Sequence, residues 1–217
     1  MAALLTTHLP IVAVSTISGN QEKIQNFLEH SGETWQPGTP VSLDGSGFVI
    51  PYSGTPTYGP PGNILGITNL AGANLASSGQ GASPNFGSIG FPGGAGAVQN
   101  VPNQPNAYSI YHGAPFVNGL SNVAVATQDT IFEVQVDASS GATYNATNSL
   151  IGTSVGLTVD SSGFWYADLA KSTVGTNAVA VIVSLNPEDL VVGSTVTQVN
   201  NGRVRVVFAA TVIQVTN

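Results

Sequence analysis

The chain has 217 residues, no cysteine and a net charge of −7, with charged residues at only 7% of the sequence against an ordinary ~25%. Its four scattered cations, Lys23, Lys171, Arg203 and Arg205, cannot form the basic stripe that phosphate neutralisation requires, so neither nucleic acid nor an anionic membrane surface is an expected partner. Disulfides, thiolate metal sites and thiol catalysis are excluded, while 26 glycines, 13 prolines and many small and β-branched residues point to an all-β protein.

The N-terminal run "MAALLTTHLPIVAVSTISG" is apolar but lacks a positive n-region and is interrupted by Pro10. It is not expected to be a signal peptide, and it is too short and broken to span a bilayer. Two readings stay open: an inner strand of the fold, or an extended arm that packs on a neighbouring subunit. Residues 19–31, "GNQEKIQNFLEHS", predict one short helix. Ile24, Phe27 and Leu28 form an apolar stripe at i, i+3, i+4 spacing, Asn20 could cap the start and Gly32 the end. Its charges, Glu22, Lys23, Glu29 and the nearby Glu33, are expected on a solvated face.

From Trp35 the pattern becomes β. "GTPVSL" enters a strand, "DGSG" turns, "FVIPY" returns and "NILGITNLA" supplies another apolar run. Residues 79–106 are Gly/Pro-rich and uncharged, with Phe86, Ile89, Phe91 and Val98 as spaced apolar points. The expectation is a long ordered excursion pinned by its aromatics, set against a flexible linker. After "AYSIYHGAPFVNG", strand-like segments recur with turn signals every 8–12 residues, as in a small sandwich or barrel; Asn201-Gly202 is the strongest hairpin signal. The expected organisation is an arm with a short helix (1–34), a β domain carrying the long loop (35–118), and a C-terminal barrel or sandwich (119–217). "VSLDGSGFVIPY" and "VGLTVDSSGFWYAD" have the same outline, Asp and Ser around a Gly followed by Phe. Turn chemistry explains the shared residues, and they hint at two related β units.

Catalytic chemistry is hard to find. Asp44 and Asp160 sit in turns and lack the matched, facing motif of a carboxylate dyad. "GTSVG" at 152–156 matches G-x-S-x-G, but a β run follows it and no His lies beyond His112, so the strand–turn–helix elbow is missing. His8, His30 and His112 are far apart and announce no metal site, no calcium or phosphate loop is present, and no cofactor is expected. Asn145-Ala146-Thr147 is a formal glycosylation sequon without further meaning. Aromatic residues near Pro/Gly backbone are the better candidates, because they bury large area with few rotors.

"GTPVSL…GFVIPY…ILGIT" resembles the start of small β units in tailed-bacteriophage head proteins. "HGAPFVNGLSNVAVATQDTIFEVQVD", "GTSVGLTVDSSGFWYADLAKS" and "AVAVIVSLNPED" are similar to the body of phage capsid decoration, or cement, proteins. The resemblance covers most of residues 36–190 and is one of pattern; the excursion at 79–106 has no counterpart in it. It implies a structural, non-enzymatic protein without cofactor on the outer surface of the virion capsid, assembled in the bacterial host cytoplasm. Such a protein bridges neighbouring major capsid proteins and associates with itself, as a homotrimer or a dimer. The expected interface residues are Leu4, Leu5, Leu9 and Ile11 in the arm and Trp35, Tyr58, Phe86, Phe91, Tyr108 and Tyr111 in the first half. Two rivals are an adhesin or carbohydrate-binding β-sandwich, with Trp35, Trp165 and Tyr166 stacking on sugars, and a β-fold hydrolase using Asp44 or Asp160.

Overall fold

A computed structural model describes residues 8–30, 33–58, 62–69, 120–140, 146–173, 176–189 and 202–214. Its described elements are strands and single 3₁₀ turns, so the all-β expectation holds. β1 (Val12–Thr16) precedes two sets of five strands. The first set is β2 (Ile24–Leu28), β3 (Pro40–Leu43), β4 (Val49–Pro51), β5 (Gly66–Thr68) and β6 (Leu120–Val125). The second is β7 (Thr130–Asp137), β8 (Ser154–Val159), β9 (Trp165–Asp168), β10 (Ala180–Leu185) and β11 (Arg203–Phe208).

The two sets have one topology. The first runs in the order β2-β6-β5-β3-β4, and the parallel bridge Glu29↔Val49 returns it to its starting strand. The second runs β7-β11-β10-β8-β9, and the parallel β7–β9 pairing returns it likewise. Within each set the first strand pairs antiparallel with the fifth, the fifth with the fourth, the fourth with the second and the second with the third. The first and third then meet in parallel. Each set is a small closed barrel, and the repetition of all five pairings makes the molecule a tandem repeat of one unit. Closure leaves few open edges.

Alternation builds the interiors. In β11 the buried residues are Val204, Val206 and Phe208, every second position. In the first barrel Trp35, Val41, Val49, Leu65 and Val123 form one cluster. A larger cluster crosses the junction, joining Tyr52, Ile64, Ile67 and Ala124 of the first barrel to Phe132, Val134, Val155, Leu157 and Trp165 of the second. The chain's end reinforces this seam. Ile64 bridges to Ile213, and the Gln214 amide bonds both backbone groups of Leu43 at 2.6 and 2.9 Å.

Three expectations change. The helix over 19–31 is a strand: Ile24–Leu28 pairs residue by residue with β6, from Ile24↔Ala124 to Leu28↔Leu120. The i, i+3, i+4 stripe is real, but a ladder with β6 overrides the local preference. Glu29, placed on a solvated face by that helix, is fully buried beside the bridge to Val49. The strands also do not divide at 34 and 118, since β2 and β6 pair inside the first barrel and β1 joins the second through β7. The expected strands at 107–119 and 194–199 and the excursion at 79–106 lie outside the described residues.

Candidate functional site

The two quoted hairpins form the same turn. In one, Asp44 N–H donates to Phe48 O at 2.8 Å and Gly47 N–H to Asp44 O at 3.1 Å; in the other, Asp160 N–H donates to Phe164 O at 2.8 Å and Gly163 N–H to Asp160 O at 3.2 Å. One carboxylate oxygen of each Asp accepts two further amides, from Ser46 (2.8 Å) and Phe48 (2.9 Å), or from Ser162 (2.8 Å) and Phe164 (2.9 Å). Gly47 and Gly163 sit at φ 84° and 88°, where a side chain would be strained. The bond from Phe48 N–H chiefly holds the Asp44 carboxyl below its ordinary value. At Asp160 burial pushes upward, but bonds from His8, Phe164 and Ser162 outweigh it, and the net shift is again downward.

The free carboxylate oxygens differ. Asp160 Oδ2 accepts the His8 backbone N–H at 2.7 Å and faces His8 Nδ1 at 2.9 Å. The other ring nitrogen, Nε2, faces Asp137 Oδ2 at 3.1 Å, and the ring stacks on Tyr166 at 4.3 Å between centroids. The three side chains are buried, and the arrangement clamps residue 8 onto the second barrel. The Tyr166 phenol is pushed up to about 12 by burial first, then by Asp168 and Asp137. Asp160 is enclosed and fully bonded, which leaves it no access to a substrate. Ser154 of the G-x-S-x-G match begins β8, so no nucleophile elbow exists there. Among the described residues no cluster of metal-ligating side chains forms.

A cleft of about 510 Å³ opens where the barrels meet. Thr34, Trp35, Gln36, Thr39 and Pro51 line it from the first barrel, and Val159, Gly163 and Trp165 from the second. None of the described lining residues is charged. Trp35 and Trp165 are only 8% and 7% exposed, so each indole is largely buried where it meets the cleft. Trp165 is braced from behind by Tyr52, with ring centroids 5.6 Å apart.

The predicted interface residues scatter. Leu4, Leu5, Phe86, Phe91, Tyr108 and Tyr111 lie outside the described residues. Leu9 is 52% exposed, whereas Ile11 is 2% exposed and belongs to the shared core, so it is no anchor for a partner of the folded chain. Trp35 is in the first barrel's core and lines the cleft. Tyr58 is half-buried and donates to Ala178 O at 2.8 Å. Of the proposed sugar platforms, Trp35 and Trp165 come together, while Tyr166 is buried against His8. The His8 clamp was not legible in advance, because its partners lie 129 and 152 residues away.

No protein-family model matches the chain, and no curated protein matches it.

Proposed function

We propose that the protein is a structural capsid decoration protein that binds the outside of an assembled phage head and bridges neighbouring major capsid proteins. The resemblance of residues 36–190 supplies the class. The observation that carries the contact is the N-terminal segment. β1 pairs with β7 alone among the described residues, and no described strand covers the other edge, where a partner strand could add. Leu9, Val12 and Ile17 along this segment, and Ile24 just beyond, are exposed apolar residues in a chain with little charge. A protein that binds only the assembled shell stabilises it by mass action, about 2.7 kcal/mol at a hundredfold excess over Kd. Self-association, as a trimer or dimer, makes further contacts nearly intramolecular.

The test is co-sedimentation of the free chain with undecorated heads, beside light scattering for the oligomer. Binding saturates at a fixed ratio to coat protein and changes little with salt, because apolar contacts are barely screened. Ile17→Asp, at an exposed position, weakens it. Stripping by salt alone, or unchanged binding by the variant, would remove this interface. Deleting residues 1–18 is a poor probe, contrary to the arm expectation, since it removes β1, buried Ile11 and the His8 clamp together.

A further inference from the structure

Both tryptophans of the chain, one from each barrel, line the same cleft. The Trp35 indole N–H is buried and has no acceptor among the described residues. Its exposed neighbours Thr34 and Gln36 line the same cleft, and neither side chain takes part in any hydrogen bond among the described residues. The lining therefore combines the Thr34 hydroxyl, the Gln36 amide and a buried indole donor with a second indole, a proline ring and Val159. A purely apolar ligand would leave the cleft's polar groups unpaired. A charged ligand would meet no countercharge among the described lining residues and a chain of net charge −7.

We propose that this cleft binds a neutral saccharide. A sugar ring carries an apolar C–H face, which suits Trp165 and Pro51, and a rim of hydroxyls that both donate and accept, which suits Thr34, Gln36 and the Trp35 N–H. Its volume, about 510 Å³, lies in the ordinary range for small-molecule sites. The site is independent of the shell contact, which uses the N-terminal segment, so one function can fail without the other.

Because the only two tryptophans line the cleft, intrinsic fluorescence of the free full-length protein reports on its occupancy. The probes are neutral glucan, galactan and N-acetylglucosamine oligomers, their sialylated counterparts, and a proline-rich peptide. The expected result is a saturable change in tryptophan emission with at least one neutral oligomer and none with the sialylated series. The Thr34→Ala/Gln36→Ala double variant alters two exposed side chains, so folding, followed by circular dichroism, should persist while affinity falls about tenfold, the equivalent of one or two lost hydrogen bonds. The proposal is overturned by no response to any neutral oligomer at millimolar concentration, by undiminished affinity in the folded double variant, or by response only to sialylated sugars or only to the peptide.

Discussion

The Asp44 and Asp160 hairpins share every backbone bond of their turns to within 0.1 Å, yet one lies open and the other is locked. At Asp160 the second carboxylate oxygen meets a buried histidine at 2.9 Å; at Asp44 the corresponding oxygen faces His30 Nε2 at 3.9 Å, with the His30 side chain 44% exposed. The turn is a local device, made by Asp, Ser and Gly within five residues. What the turn holds is decided by distant chain. In the second barrel that chain is the segment entering from residue 8, which continues through Pro10 and Ile11 hard against Gly38 of the first barrel, where even a Cβ would lie 2.4 Å from Ile11 N. The same carboxylate thus completes a turn in one barrel, and in the other also holds the incoming segment at His8.

The widest separation between the two halves should come from the histidines. His8→Ala removes the ring that Asp137 and Asp160 both contact in a buried site. Breaking such a pair costs about 3 kcal/mol, a fall in Tm of roughly 6–12 °C for a chain of this size. His30→Ala, at a long and exposed contact, should stay within about 0.5 kcal/mol of the parent. Thermal melts of the two variants decide it. Equal losses would mean that the clamp contributes no more than a surface ion pair.

Acid unfolding sharpens the same contrast. Asp160 has a folded value below its unfolded one, the result of bonds that overcome burial. A depressed carboxylate contributes stability that is present above its unfolded value, about 3.9, and is lost as pH falls through the folded value. Asp160→Asn should therefore flatten the acid limb of the stability curve below about pH 4. Asp44 is depressed too, mainly by the Phe48 amide, but no enclosed partner depends on its charge, so Asp44→Asn should alter the limb less. Chemical denaturation between pH 2 and 7 measures both slopes, and a larger effect at Asp44 would reverse the assignment.

These contrasts explain what could be read from the chain beforehand. The hairpins were legible because their causes are local: Asp caps the turn, Gly takes positive φ, and alternation sets the flanking strands. The hint of related units rested on those turns, and the repeated strand order extends it to all five pairings. The stretch at 19–31 misled for the opposite reason. Ile24, Phe27 and Leu28 fit a helical stripe, and only β6, about a hundred residues later, makes them a strand. The histidine clamp had no sequence signal at all, since Asp137 and Asp160 reach His8 only after the second barrel closes. The cleft was half legible: Trp35 and Trp165 stood out in the sequence, but their meeting depends on the seam between the barrels.

The smallest effect tests whether the two turns are equivalent. Gly47 and Gly163 have nearly the same positive φ, so replacing either with alanine forces an L-residue into the left-handed region at about 1 kcal/mol. If the turns are one structure used twice, Gly47→Ala and Gly163→Ala should lose nearly the same stability. Their surroundings then add a second-order difference. A Cβ at Gly47 meets nothing within 4 Å, whereas one at Gly163 lies 3.2 Å from Gln36 Cγ. The exposed Gln36 side chain has to give by only a few tenths of an ångström, so the extra cost is small, but it moves within the cleft that Gly163 and Gln36 both line. Gly163→Ala should therefore shift tryptophan emission while Gly47→Ala leaves it unchanged, with both melting a few degrees below the parent. Unequal melts with identical emission would show that the turns differ in backbone strain, and that their likeness ends at the hydrogen bonds.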